Sequence, residues 1–178
     1  MKNRLAIASI VVSLLAGCAG TDARVEGDMP AAPAPAKPAA AKRGALIVLP
    51  ARFADHLSID RVKQECDMLR TFNGAVLRYG NAYAMKVHKR QRLSDAGPGQ
   101  SVLLVSYEAV DANVMNALTL RPGSEATVKA SIIKDGEVLS TMSKHLVSRV
   151  SFGACGRLDK IATAGAKVVA KWASRQPY

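Results

Sequence analysis

The apolar and polar positions of this chain fall into blocks of different period. Ala45 to Leu49 is an unbroken apolar run stopped by Pro50, which predicts a strand buried on both faces. After a loop from Pro50 to Leu57, apolar residues return at steps of three and four: Ile59, Val62, Cys66, Leu69, Phe72 and Val76. That spacing predicts one amphipathic helix, capped by Ser58 or Asp60 and ended by Gly80, with Cys66 on its buried stripe. Tyr83, Met85 and Val87 then alternate with Ala84, Lys86 and His88, predicting a half-buried strand over residues 82–88.

Gln91 to Gln100 holds Asp95-Ala96-Gly97-Pro98-Gly99 and is a loop on turn chemistry alone. Val102 to Val105 predicts a second buried strand with an extension towards Val110. No period emerges over 111–126, where Arg121-Pro122-Gly123 has the composition of a turn. Strands over 127–134 and 137–148 are joined by Asp135-Gly136, a two-residue hairpin signal, with Val128, Ala130 and Ile132 on one face. Beyond Gly153 and Gly156, the stripe Leu158, Ile161, Gly165, Val168, Val169 and Trp172 predicts a closing helix stopped by Pro177. No internal repeat is present. The order β-α-β-β-β-β-α gives an α/β fold, a single mixed sheet with two helices packed on it.

The chain ahead of this domain has a different character. Lys2 and Arg4 precede an apolar run from Leu5 to Ala16, too short to span a bilayer stably and laid out like an export signal. It closes on Leu15-Ala16-Gly17-Cys18, which is similar to the lipobox of bacterial lipoproteins. The resemblance implies cleavage before Cys18, acylation of that cysteine and anchoring in a membrane. Ala19 after it, rather than aspartate, fits sorting to the outer membrane of a Gram-negative cell. An ordinary secretory signal would cut near Ala16 or Ala19 and leave Cys18 incidental, although cysteine is an odd choice there unless its thiol is used. Residues 18–43 follow as a tether in which Pro30, Pro33, Pro35 and Pro38 alternate with alanines. Such a segment favours polyproline II and, at about 3.1 Å per residue, reaches on the order of 75 Å. The division is therefore a leader over 1–17, a lipidated tether over 18–43 and a globular domain over 44–178. The whole layout resembles the lipoprotein activators of penicillin-binding proteins, whose small mixed-sheet domain is like the one that opens TolB.

Charge changes the expected partners. The chain carries a net +11, or +9 once Lys2 and Arg4 leave with a leader that holds no acid. A basic surface favours anionic partners: lipid headgroups, cell-wall polymer or an acidic protein face. Nucleic acid is set aside, because an exported chain seldom meets it and 4% aromatic residues leave few rings for stacking. The densest cluster is Lys86, His88, Lys89, Arg90 and Arg92, suited to an anionic partner. The plainer reading is a solvated strand end whose charges block edge pairing.

Assigning Cys18 to lipid leaves Cys66 and Cys155 as an even pair in an oxidising compartment, where a disulfide tying the two helices is expected. Ser151-Phe152-Gly153-Ala154-Cys155-Gly156-Arg157 is similar to the nucleophile motif of L,D-transpeptidases, which implies attack by a cysteine on a cell-wall peptide. It departs from that motif in Ala154 and in the lack of an upstream His-Gly-Thr segment to supply a base. His145, ten residues before Cys155, is the nearest substitute. His56, His88 and His145 have no neighbouring ligand at metal spacing, Gly97-Pro98-Gly99 lacks the Lys-Ser/Thr of a P-loop, and no Gly-x-Ser-x-Gly elbow occurs. The sequence thus points to a non-catalytic envelope lipoprotein that binds another envelope component, with no cofactor and no metal. The alternative is a cell-wall-modifying enzyme using Cys155.

Overall fold

The computed structural model describes residues 44–115 and 122–178. The leader, the whole expected tether with Cys18, and Arg121 lie outside the described residues. The domain is one mixed sheet with helices on one face. Its elements are β1 (Leu46–Val48), β2 (Arg52–Phe53), α1 (Asp60–Glu65), α2 (Met68–Ala82), β3 (Val87–Lys89), β4 (Ser101–Met115), β5 (Pro122–Lys134), β6 (Glu137–Ser148) and α3 (Gly153–Ala173).

The sheet runs β3-β1-β4-β5-β6, with β1 parallel to both β3 and β4, and β5 antiparallel to β4 and β6. The α/β class and single mixed sheet are as the sequence predicts. Strand β2 is an addition. Pro50 has no N–H to give, so β1 breaks there, and the chain then rejoins β4 in parallel at Arg52 and Phe53. In the gap, the Ala51 N–H donates to Asn73 Oδ1 on α2 at 2.8 Å. The β3–β4 connection passes over β1 without a helix, using a 3-10 turn at Leu93–Asp95. Its Ala96 packs with Ile47, Leu49, Val102 and Leu104 on the helix-free face.

The main core lies on the other face. Leu46, Val48, Leu103, Val105, Tyr107, Val128, Ala130 and Ile132 of the sheet meet Met68, Phe72 and Val76 of α2 and Leu158, Ile161 and Val169 of α3. Small residues on α3, among them Ala162, Ala166 and Ala170, are buried beside the larger ones the periodicity picks out. Gly165 lets α3 approach closely: a Cβ there would lie 3.2 Å from Leu146 and 3.4 Å from the Tyr107 hydroxyl.

Several expected boundaries move. The single helix over 58–80 is two helices, separated by Cys66 in an extended conformation (φ −114°, ψ 139°) and Asp67. Cys66 therefore sits at the break, half-buried against the core, rather than on a continuous stripe. Gly80 is interior to α2, where a Cβ would press on Val87, and the helix ends instead in a Schellman motif: the Met85 N–H bonds Gly80 O and the Ala84 N–H bonds Asn81 O, both at 3.0 Å. That motif uses up Tyr83 and Ala84, so the following strand begins at Val87 and not at 82. Pro122 and Gly123 open β5 instead of forming a turn; the first residue of a strand tolerates proline's missing donor. The Asp135-Gly136 hairpin turn forms as predicted, with φ of 49° and 85°, both in the left-handed region that this turn type demands. Among the described residues, no helix is long and apolar enough to cross a membrane.

Candidate functional site

The two ends of the sheet differ. Strands β1 and β4 start, and β5 ends, at the pole carrying Asp135; there the Gly44 N–H meets Tyr178 O at 3.4 Å. The described domain therefore begins and ends at this pole. At the opposite pole β4 ends, β5 begins, β6 runs out and α3 starts.

Cys66 and Cys155 are bonded at that far pole, with Cα atoms 5.0 Å apart. The bond joins the α1–α2 break to the first turn of α3. Beside it lies a cleft of about 690 Å³ between α1, the end of β4 and the start of α3. Ile59, Val62, Val110 and Ala112 give it apolar walls, Asp60, Glu65 and Asp111 a carboxylate rim, and Phe152 one lip. The Phe152 side chain is wholly exposed (102%), and Val150 beside it is 70% exposed. Phe152 and Val150 together leave apolar surface open to water at the mouth of the cleft.

Arg157 forms the wall behind this pole. It is only 4% exposed, donating from Nε to Ser124 Oγ at 3.0 Å and from Nη2 to Ala112 O at 3.2 Å and Asn113 Oδ1 at 3.3 Å. Ser124 Oγ in turn donates to Ala112 O at 2.6 Å. One guanidinium thus pins the ends of β4 and β5 to α3, using the fork of donors that only arginine has. Neither Phe152 nor Arg157 stands out as a site residue by sequence. The available signal for Arg157 was its position four residues before Ile161, on the side of α3 that faces the core.

The basic cluster takes a different place. Val87, His88 and Lys89 form β3, the short edge strand, and Lys86, Arg90 and Arg92 flank it, all five cluster side chains exposed. The Arg90 N–H bonds Val48 O at 3.2 Å and the Arg92 N–H bonds Asp95 Oδ2 at 3.0 Å, so the backbone is fixed while the cations face solvent. The cluster is on the sheet's edge, away from the cleft.

The histidines do not converge. His56 Nε2 meets Glu108 O at 3.0 Å. His145 lies on the helix-free face, near Thr127 Oγ1 at 3.3 Å and Glu125 Oε2 at 3.6 Å, whereas Cys155 is in α3 on the other face. The sheet separates this histidine, the nearest substitute base by sequence, from the Cys155 sulfur. No group of three or more His, Cys, Asp or Glu suited to a metal ion occurs among the described residues.

Comparison with known proteins gives a fold and no family. No protein-family model matches the chain, and no curated protein does. Among solved structures, the domain is similar to a Xanthomonas campestris protein of the DUF330 family (TM-score 0.53, 9% identity, covering 74% of this chain and 83% of that one). It is also similar to PelC of Paraburkholderia phytofirmans, described as a dodecamer (TM-score 0.51, 14% identity, covering 79% and 93%). A minor lipoprotein of Acinetobacter baumannii matches at a TM-score of 0.49 with 11% identity, covering 74% and 95%.

Proposed function

We propose that this protein is a bacterial lipoprotein anchored through Cys18 in the cell envelope, outer membrane facing the periplasm. In this reading its folded domain binds another envelope protein without catalysing a reaction. The observation that carries the binding role is the exposed Phe152 on the lip of the far-pole cleft, with Val150 beside it. The described domain begins at Gly44, at the pole opposite this cleft. PelC, which shares the fold, is described as a dodecamer, so this fold is compatible with protein–protein assembly. The cations of the β3 edge, Lys86, Lys89, Arg90 and Arg92, supply a second surface suited to lipid headgroups or cell-wall anions.

The enzymatic alternative needs a thiolate at Cys155. With that sulfur bonded to Cys66 and His145 across the sheet, neither nucleophile nor base is in place. The test is a photo-reactive phenylalanine analogue placed at Phe152 in the full anchored chain. A discrete adduct with an envelope protein is expected there, and none from the same analogue at Arg90. An adduct from Arg90 alone would move protein binding to the basic edge, and no adduct from either position would overturn the binding role.

A further inference from the structure

The segment between β2 and α2 is held unevenly. At its start the Ala54 N–H donates to Tyr107 O at 2.9 Å and His56 Nε2 meets Glu108 O at 3.0 Å, which fixes it to β4. At its far end the fully buried Met68 opens α2. Between them α1 has six residues and one buried side chain, Val62, with Ile59 half-buried against the core. Among the described residues, every hydrogen bond and ion pair of 58–65 stays within 57–66: Arg61 with Glu65, Lys63 with Asp60 and with Leu57 O, and the helix's own backbone bonds. A helix this short is not stable by itself. What fixes its C-terminal end to α3 is the disulfide from Cys66 to Cys155.

Helices α2 and α3 do not depend on that bond in the same way. Phe72 and Val76 of α2 share the core with Leu158, Ile161 and Val169 of α3, and Thr71 Oγ1 donates to Asp159 Oδ1 at 3.1 Å. Breaking the disulfide therefore takes support from α1 first. The bond is also within reach of solvent. Both cysteines are half-buried, and both line the cleft of about 690 Å³ that has α1 as a wall. We propose that Cys66–Cys155 is a redox latch, which a dithiol reduces from the cleft so that α1 is released while the sheet, α2 and α3 stay folded. One thiolate of the dithiol attacks Cys66 Sγ and the S–S bond breaks. Its electron pair leaves on Cys155 Sγ, in the first turn of α3, where backbone N–H groups favour an anion. The second thiol of the reductant then displaces Cys66 as a thiolate and closes the dithiol into its own disulfide. Two electrons pass to the cysteines, and the two protons of the dithiol end on them. The cleft loses a wall. The latch goes beyond the binding role and stands on packing and access alone, whether or not the cleft holds the partner proposed above.

Dithiothreitol and hydrogen exchange on the full chain test this. The native protein should be reduced at a rate that rises in proportion to dithiothreitol concentration, read by alkylation of Cys66 and Cys155 in quenched samples. In the reduced protein the amides of 63–66 should exchange like those of a free peptide, a loss of at least about tenfold in protection, while β4 and β5 stay protected. The Cys66→Ser, Cys155→Ser double variant, which needs no reductant, should show the same pattern. A rate independent of dithiothreitol would mean that the sulfurs are reached only through unfolding, and would overturn the latch. So would α1 keeping its protection once the bond is gone, or β4 and β5 losing theirs together with it.

Discussion

Tyr107 brings a cost into this core. Its ring is fully buried, edge-on to Phe72 with centroids 5.8 Å apart, yet among the described residues its hydroxyl has no hydrogen-bond partner. A desolvated hydroxyl without an acceptor is a net loss, so Tyr107→Phe should be neutral or stabilising by about 1 kcal/mol in urea denaturation. Burial also pushes the phenol well above its ordinary value. An acid with a raised folded pKa keeps its full stability contribution below the unfolded pKa and loses it as pH climbs beyond. Stability should therefore fall above about pH 10, and Tyr107→Phe should remove part of that fall. Arg157 is the opposite case, a buried cation that donates to neutral acceptors on β4 and β5. Arg157→Ala should cost roughly 2–3 kcal/mol by removing the bonds that tie Ser124 Oγ, Ala112 O and Asn113 Oδ1 to α3, and Arg157→Lys should recover only part, since an ammonium cannot reproduce the fork.

Element types were legible wherever one period held. The apolar run of β1, the hairpin signal at Asp135-Gly136 and the stripe of α3 each specify a structure by themselves. Strand β4 was only half legible for a physical reason. Its core-facing residues are Leu103, Val105 and Tyr107, but the bulge at Glu108 shifts the phase, so Val110 and Ala112 carry the core face onwards. A period of two that changes phase reads as no period, and the buried partners Ser124 and Ala126 are too small to signal a strand. The helix break at Cys66 was hidden because its stripe spacing survives across the interruption. At the end of α2, Ala84 occupies a left-handed position (φ 55°) that glycine fits without strain. Ala84→Gly should therefore raise stability by about 1 kcal/mol, measured as a shift in thermal midpoint.

At the scale of the molecule, the Cys66–Cys155 bond closes a separation of 89 residues and holds α3 against the α1–α2 break. Its loss should cost roughly 4–5 kcal/mol on the chain-entropy model, with Cys66→Ala, Cys155→Ala and the double variant destabilised about equally. The pairing was legible from the even cysteine count that remains once Cys18 is assigned to lipid. The cleft beside it was not, because Ile59, Val110 and Phe152 come from three distant segments that only the sheet order brings to one pole. The basic cluster was legible as a cluster, and its place on the β3 edge follows from the parallel pairing of β1 and β3.

Anchoring through Cys18 is the premise on which the proposed envelope role rests. Intact-mass and peptide analysis of the protein extracted from membranes tests this most directly. The account predicts a mature chain of 161 residues, the 178 less the 17 of the leader, beginning at an acylated Cys18. A chain cut at another residue, or beginning at Cys18 with an unmodified thiol, would contradict it.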